Sequence, residues 1–416
     1  MRFVAILTAV VSVGSVSASD LPRVFMTSTK GTGDLSTWPD AHGLSGLAAA
    51  DEVCRTRAEA ASIARSEAYV AFLSDTHDDA YCRVHDLHGK RSARCGMATL
   101  PTDAGPWYRM DDLAAMDVAQ NVLVGVDAAE GGYMPRAIVS DEFGSDFAVS
   151  PQTGAMDYAF TGSALDGSWP AGTATCSDWS SGVFNEADSV SLAISYRGYG
   201  ALGGAAWTCD QQLRLLCLEK GSHGPALVKT RPPNARIAFI TSTAGPGDFS
   251  TWPDGAGAKS VEAADLVCNA HAERAALPQP SAYKAWLSTA SRGAIDRFVV
   301  DGPLYRPDGV LVARWLADLA DGVLEAPIQL DENAVPLQSG QAAWSGTSSD
   351  GSPMTYTCTN WTVSDASSFG YVGASATSDT NWSFISYVPL AFSCQGPFHV
   401  YCLSDADSLF LSGFDP

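Results

Sequence analysis

A fourteen-residue stretch that occurs twice constrains the fold of this chain more than any other feature. The first copy runs from Thr27 to Asp40, the second from Thr241 to Asp254, and both end in Ser-Thr-Trp-Pro-Asp. The offset of 214 residues also relates Cys54 to Cys268. Such a period is far longer than the roughly 20 to 50 residues of a solenoid unit. We therefore predict two tandem globular domains of ordinary size.

The first twenty residues have the pattern of an export signal. Arg2 precedes an apolar run over residues 3–13, and small residues follow at 16–18. This pattern predicts a cleaved signal peptide over 1–18, the alternative being a buried N-terminal strand. The run is shorter than the roughly 20 residues that span a bilayer, so we expect no membrane span. We expect a secreted protein or one at the cell-envelope exterior, in the periplasm or outside the cell.

Charge and cysteine content narrow the possible partners. The formal net charge is −21, which argues against nucleic acid, anionic lipid and heparin-like polyanions. Ten cysteines in an exported chain favour disulfides over metal or redox chemistry. The chain has no Gly-x-Ser-x-Gly, His-Glu-x-x-His or phosphate-binding glycine motif. We therefore predict no metal, no cofactor and no catalytic residue.

The repeat and the local composition set the domain boundaries. Each half has a short β-like run, the repeated loop, a helical pattern and a second strand, and each ends on a strand at 213–218 or 399–403. This order of elements predicts an α+β fold. Gly224-Pro225 and Pro232-Pro233 indicate a semi-stiff linker between the halves. The predicted segments are the signal peptide 1–18, a first domain 19–220, a linker 221–235, a second domain 236–405 and a tail 406–416.

The cysteines follow the same repeat. Four in the first half match four in the second, with a final spacing of eight residues in both copies; these are Cys54, Cys176, Cys209 and Cys217, then Cys268, Cys358, Cys394 and Cys402. Six cysteines alone allow 15 pairings, and the repeat removes most of that freedom. Cys82 and Cys95 have no counterparts and lie where the first half is longer. We expect these two to close their own insertion.

Several ordered motifs in the second half resemble a known family. They are Ala263-Ala-Asp-Leu-Val-Cys268, Tyr283-Lys-Ala-Trp-Leu-Ser288, Tyr305-Arg-Pro-Asp-Gly309, Trp344-Ser-Gly-Thr347, Cys358-Thr-Asn-Trp-Thr362 and Val400-Tyr-Cys-Leu403. Together they resemble the endostatin-like domain of bacterial exported proteins, which is similar to the endostatin domain of collagens XV and XVIII. The resemblance covers nearly all of the second half and, more loosely, the first.

This resemblance implies a fold and a disulfide pattern. The fold of the family is a C-type-lectin-like α+β domain with nested disulfides. Carried over by position, the pairs are Cys268–Cys402, Cys358–Cys394, Cys54–Cys217 and Cys176–Cys209.

The family also implies binding of host matrix or plasma proteins, and the wider fold often binds sugars. Zinc-binding histidines at the domain start and an arginine-rich heparin site, both known in endostatin, have no equivalent here. The Glu-Pro-Asn and Gln-Pro-Asp triplets of calcium-dependent lectins are missing as well.

Polar residues offer a few candidate sites. Cys82, His85, His88 and Cys95 have a zinc-like composition, but an oxidising compartment favours a loop closed by a disulfide. The carboxylate pairs Asp141-Glu142 and Asp331-Glu332 could serve as acid and base, as calcium ligands or as caps; we favour a solvated or capping role. His271 and His399, the histidines of the second half, are expected to be bystanders.

Three tryptophans in the loop-rich part of the second domain are the candidate ligand-binding residues. Trp344, Trp361 and Trp382 could offer a stacking face to a sugar or an anchor to a protein. The alternative is that they fill the interior of a loop region with little regular structure. Trp344 and Trp361 lie in family motifs and fit that alternative, whereas we expect Trp382 to be exposed.

These observations favour a non-catalytic binding protein over an enzyme. We expect an exported monomer of two endostatin-like domains that recognises an extracellular or cell-surface protein or glycan. One alternative is a hydrolase that acts on polysaccharide through paired carboxylates. Another is a purely structural component of the envelope or matrix.

Overall fold

The structure is a computed structural model. It describes residues 21–123, 134–149, 157–172, 174–185, 189–198, 202, 205–221, 223–255, 257–337, 341–386 and 391–406. The predicted signal peptide, and the predicted tail from residue 407 onward, lie outside the described residues. Helices and sheets occur together in both halves, so the α+β prediction is confirmed.

The first domain is built from short strands around one long helix. Its strands are β1 (Val24–Met26), β2 (Tyr69–Ala71), β3 (Trp107–Tyr108), β4 (Ala114–Met116), β5 (Tyr158–Phe160), β6 (Ser189–Ile194), β7 (Ala205–Thr208) and β8 (Arg214–Glu219). The long helix is Gly46–Ala60, and shorter helices are Ala80–Val84 and Ala119–Val122. Single 3-10 turns cover Leu35–Thr37, Pro39–Ala41, Ser66–Ala68 and Arg91–Gly96.

The second domain repeats this arrangement. Its strands are β9 (Arg236–Ile240), β10 (Tyr283–Ala285), β11 (Leu304–Tyr305), β12 (Leu311–Ala313), β13 (Ala342–Trp344), β14 (Phe369–Gly370), β15 (Val372–Ala374), β16 (Phe392–Ser393) and β17 (His399–Ser404). Its long helix is Ser260–Arg274. The 3-10 turns are Phe249–Thr251, Pro253–Gly255, Pro280–Ala282, Ile295–Arg297, Leu316–Ala320 and Thr380–Trp382.

The two main sheets share a core of four strands in the same order, β1-β8-β5-β6 in the first domain and β9-β17-β13-β15 in the second. The first sheet continues from β6 into β7, whereas the second continues from β9 into β11 and β12. In the first domain, β8 runs antiparallel to β1 and parallel to β5. In the second domain, β17 runs antiparallel to β9 and parallel to β13. The register is also repeated, since Phe25 pairs with Cys217 and Phe239 with Cys402. The sequence repeat is therefore a repeat of the fold.

All ten cysteines form disulfides, and the pairing agrees with the one that the resemblance implied. The pairs are Cys54–Cys217, Cys82–Cys95, Cys176–Cys209, Cys268–Cys402 and Cys358–Cys394. Cys54–Cys217 and Cys268–Cys402 each join the long helix to the last strand of the same domain. Cys82–Cys95 closes the insertion of the first domain, as expected. No bridge connects the two halves.

A partly buried aspartate holds each long helix against the neighbouring strand. In the second domain, Asp265 accepts the N–H of Ala285 at 2.8 Å and both oxygens lie 2.7 Å from the guanidinium of Arg297. Burial raises the pKa of Asp265 against the opposing effect of Arg297. Asp51 and Arg83 repeat these contacts in the first domain. Buried ion pairs of this kind are retained where both partners are fully hydrogen-bonded.

Each domain also contains a short left-handed turn that begins at a disulfide cysteine. All four residues of Cys358–Trp361 have positive φ, between 47° and 63°, and Cys176–Trp179 has the same conformation. A left-handed conformation costs roughly 1–2 kcal/mol per residue, so other contacts must hold it. In the second domain these are the Cys358–Cys394 bridge and the indole N–H of Trp361, which donates to the carbonyl of Ser288 at 2.7 Å.

The two domains share an interface, in which a backbone segment of one is hydrogen-bonded to a backbone segment of the other. The N–H of Gly198 donates to the carbonyl of Ala376 at 2.8 Å, and the N–H of Ser378 donates to the carbonyl of Tyr196 at 2.9 Å. The side chain of Gln329 reaches across and donates to the carbonyl of Met134 at 3.0 Å. The domains therefore have separate disulfides but share an interface.

Candidate ligand-binding site

The three candidate tryptophans are all buried, so none can anchor a ligand in this conformation. Trp344 and Trp361 are fully buried, and their indole N–H groups donate to the carbonyls of Gly245 and Ser288. Trp382 is only 1% exposed and packs on Trp286. The expected exposure of Trp382 is therefore wrong. The short turn that carries it directs the ring inward, and a loop has no periodicity from which that direction could be predicted.

The zinc-like cluster of the first domain is a disulfide-closed loop. Cys82 and Cys95 are bonded to each other, which removes both sulfurs from any ligand set. His85 is bonded through Nδ1 to the carbonyl of Tyr81, and His88 lies on the surface beside Asp78. Over the described ranges, no three His, Cys, Asp or Glu side chains are placed to hold a metal ion.

The two carboxylate pairs cap loops, and the members of each pair have different partners. Asp331 accepts the N–H groups of Asn333 and Val335, whereas Glu332 accepts the N–H and the hydroxyl of Ser242. Asp141 and Glu142 make the corresponding contacts in the first domain, where Glu142 accepts the N–H and the hydroxyl of Ser28. Each pair therefore closes the repeated loop onto its domain, which is the favoured capping role.

The base that faces the buried glutamate differs between the domains. In the second domain the Nδ1 of His271 lies 2.8 Å from Glu332, and both side chains are buried. Burial raises the pKa of Glu332, but the hydrogen bonds from His271 and Ser242 outweigh it and the net shift is downward. At the position of His271 the first domain has Arg57, which bonds Asp40 at 2.7 Å and lies 3.8 Å from Glu142.

His271 also contacts a hydroxyl. The Oγ1 of Thr243 lies 3.1 Å from its Nε2, so a hydroxyl, an imidazole and a carboxylate stand in line. Hydrolases place a nucleophile and its base in this way. The first domain keeps the same loop with Arg57, which cannot act as a base at neutral pH. The shared requirement is thus closure of the loop by a basic side chain beside a buried glutamate, and His271 is better explained as the hydrogen-bond partner of Glu332.

Two half-exposed rings mark a groove on the second domain. Tyr356 and Phe369 are 44% and 42% exposed, and their ring centroids lie 6.1 Å apart. Tyr356 also contacts Tyr371, which contacts Phe384 in turn, so the exposed rings stand on a row of aromatic side chains. The groove encloses about 390 Å³, within the usual size of a small-molecule site. Exposed aromatic rings in a groove are typical of a binding surface.

The rest of the groove is lined by hydroxyl and amide groups. They come from the left-handed turn and the loops beside it, and are Thr355, Thr357, Thr359, Asn360, Ser367 and Ser368. The amide oxygen of Asn360 accepts the N–H of Ala290 at 2.7 Å, which fixes its orientation. Ser367 and Ser368 donate to Asp365 at the rim, and these bonds lower the pKa of Asp365 to about 2. The strained turn therefore presents polar groups beside the rings.

The first domain lacks these rings. The backbone carbonyl of Tyr371 accepts two N–H groups from the segment that follows β13. The backbone carbonyl of Ser191 accepts two equivalent N–H groups from the segment that follows β5. This match makes Ser189, two residues earlier, the counterpart of Phe369. The paired cysteines Cys176 and Cys358 likewise make Ala174 the counterpart of Tyr356. Among the described residues of the first domain, the positions that correspond to the two rings of the groove are therefore not aromatic.

A second cavity lies between the domains and is acidic. It encloses about 200 Å³ and is lined by Arg109, Asp146, Tyr196, Asp318, Asp321 and Glu325, among others. Burial raises the pKa of both Asp146 and Asp321. Asp318 and Asp321 accept backbone N–H groups, and Glu325 pairs with Arg314 at 2.8 Å. These carboxylates have structural partners, so the groove of the second domain remains the stronger candidate.

Sequence comparisons leave the family open. No protein-family model and no curated protein matches this chain. The resemblance to endostatin-like domains therefore stays a prediction. In the part of the chain that the structure describes, every helix is too short or too polar to cross a membrane. The five disulfides fit an oxidising location outside the cytoplasm.

Proposed function

We propose that this chain is an exported, non-catalytic binding protein of two endostatin-like, C-type-lectin-like domains, and that its second domain holds the ligand. The observation that carries the proposal is the pair of half-exposed rings, Tyr356 and Phe369, in a groove that the otherwise similar first domain lacks. The ligand is an extracellular or cell-surface molecule, and the protein binds it as a monomer.

In this proposal Tyr356 and Phe369, not Trp382, anchor the ligand. Both rings lie between Asp350 and Ser393 in the second domain. Tyr356 lies on a loop and Phe369 on the short strand β14, and the left-handed turn and the Cys358–Cys394 bridge lie between them in the chain and hold this region together. A preorganised aromatic pair binds with little loss of side-chain freedom, because each ring has only two rotatable bonds.

Alanine substitution at the rings tests this proposal. In a screen of the mature protein against extracellular proteins and glycans, we expect Tyr356→Ala and Phe369→Ala to weaken binding at least roughly tenfold, since hot-spot aromatic residues contribute about 2 kcal/mol or more. Because both rings are half exposed, the melting temperature should change little. Phe184→Ala is the matched control, because Phe184 is 60% exposed on the corresponding disulfide loop of the first domain. Equal binding by all three variants would refute the assignment of the groove.

A hydrolase that uses the interdomain cavity is the second candidate. The observation that favours it is the raised pKa of Asp146 and of Asp321 beside Glu325, since a carboxyl with a raised pKa can act as a general acid. Release of reducing ends from polysaccharides, lost in Asp146→Asn and Asp321→Asn variants that bind as before, would support this candidate. Without such release, the cavity is only part of the interface.

A further inference from the structure

We infer that the groove of the second domain selects a neutral saccharide; this inference rests on the proposed function and names its ligand class. The groove combines two exposed rings with hydroxyl groups and one amide, and none of its lining side chains is charged at neutral pH. Its chemistry matches a ligand that has hydroxyl groups and apolar ring faces but no charge.

The strongest support comes from Asn360 and its counterpart Asp178. Asp178 accepts the N–H of Thr76 at 3.0 Å, just as Asn360 accepts that of Ala290 at 2.7 Å. Burial raises the pKa of Asp178, but hydrogen bonds from Thr76 and Thr175 outweigh this and lower it, so the carboxylate is charged. The second domain thus keeps the structural hydrogen bond and removes the negative charge.

The amide at 360 also adds donors that a carboxylate cannot supply. Because the oxygen of Asn360 is occupied by Ala290, its NH2 group is the part left to contact a ligand. That nitrogen has no hydrogen-bond partner within the described ranges. The NH2 group lies beside hydroxyl groups, which can both donate and accept hydrogen bonds. The groove can therefore bind sugar hydroxyls either as donors or as acceptors. Tyr356 and Phe369 supply the apolar faces on which a sugar ring can stack.

The charges around the groove disfavour acidic ligands. Asp365 stands at the rim, and hydrogen bonds from Ser367 and Ser368 lower its pKa to about 2, so it is ionised at any physiological pH. An acidic protein surface repels sulfated and uronic glycans, and like charges at a rim suppress wrong partners. A neutral sugar meets no such repulsion, and its affinity should depend little on salt.

The test is binding of the full mature protein to neutral oligosaccharides of glucose, galactose and mannose, with sulfated and uronic oligosaccharides and matrix proteins as the other probes. We expect saturable binding of at least one neutral oligosaccharide, with less than a twofold change between low and high salt. Tyr356→Ala and Phe369→Ala should each reduce it at least tenfold. Asn360→Asp should reduce it several-fold with an unchanged melting temperature, because the first domain folds with aspartate at this position.

Each outcome separates the ligand class from the proposed function. If acidic glycans or proteins bind through Tyr356 and Phe369 while the neutral oligosaccharides do not, the groove is the binding site and the saccharide class is wrong. If neutral oligosaccharides bind equally well to the alanine variants, they bind elsewhere and both proposals fail. If no probe of any class is sensitive to either ring, the proposed function itself fails. Equal binding by Asn360→Asp would overturn the role of the amide.

Discussion

The first and second domains share their framework and differ in three side-chain environments. Both have the same order of the four central strands, the same two nested disulfides, the partly buried aspartate behind the long helix and the left-handed turn. The first domain alone has the Cys82–Cys95 insertion, and the second alone has the aromatic groove. The basic side chain beside the buried glutamate is Arg57 in the first domain and His271 in the second.

The contacts that the two domains share and the positions at which they differ lie in different parts of the fold. The contacts that are repeated are buried and hydrogen-bonded, so a change there would leave an unsatisfied polar group. The groove lies on loops that this framework holds in place. Rings replace Ala174 and Ser189, while the nearby carbonyls of Tyr371 and Ser191 accept equivalent pairs of backbone N–H groups. Function can diverge at such positions because the fold does not depend on them.

The largest expected effect is loss of the bridge between helix and last strand. Cys268 and Cys402 close a separation of 134 residues, so replacing both with alanine should destabilise the second domain by about 5 kcal/mol in the chain-entropy account. Replacing Cys82 and Cys95, which are 13 residues apart, should cost about 3 kcal/mol and affect the first domain only. Urea unfolding of the oxidised variants measures both.

This pair of variants also tests whether the domains are independent. Although the domains touch at Gly198 and Ser378, each has its own disulfides and core. We therefore expect two unfolding transitions in the Cys268/Cys402 variant, with the first domain nearly unaffected. A single transition that moves as a whole would show that the interface couples the domains into one cooperative unit.

The order of elements could be predicted from the sequence, but the site could not. The repeat matched the cysteines of the two halves, and the resemblance to endostatin-like domains implied the four nested pairs that the structure contains. The direction of Trp382 and the meeting of Tyr356 with Phe369 depend on loop conformation, which follows no periodicity. One signal was available: aligned on their cysteines, the two halves have Ala174 against Tyr356. Such a contrast between repeats can reveal a ligand-binding position.

The next largest effect concerns the tryptophans. Trp382 is buried against Trp286 and Tyr401, so Trp382→Ala should destabilise the second domain by about 3–5 kcal/mol. Trp207, which is 40% exposed on β7 of the first domain, is the control, and its alanine variant should cost about 1 kcal/mol, mainly from the lost contact with Tyr158. Thermal unfolding checks both. Equal melting temperatures for the two variants would contradict the inward placement of Trp382.

The smallest expected effect is a difference in acid stability that comes from the glutamate of the second domain. Burial raises the pKa of Glu332, but the hydrogen bonds from His271 and Ser242 lower it further, and the net folded-state value is below 4.5. A carboxyl of this kind contributes stability above its unfolded-state pKa and loses it as the pH falls through the folded-state value. The melting temperature of the second domain should therefore decline below about pH 4.5.

Two variants isolate this contribution from that of the other carboxyls. Glu332→Gln cannot ionise, so the difference in melting temperature between it and the wild type should be largest near neutral pH and shrink as the pH falls below about 4.5. His271→Ala removes a hydrogen bond that lowers the folded-state pKa of Glu332, so that pKa moves up toward the unfolded-state value and the acid decline should become smaller. If the melting temperatures of the wild type and of Glu332→Gln instead fall in parallel as the pH is lowered, Glu332 has the same pKa in the folded and unfolded states. The His271 pair then closes the loop by shape and hydrogen bonding alone, and the choice between histidine and Arg57 has no consequence for stability in acid.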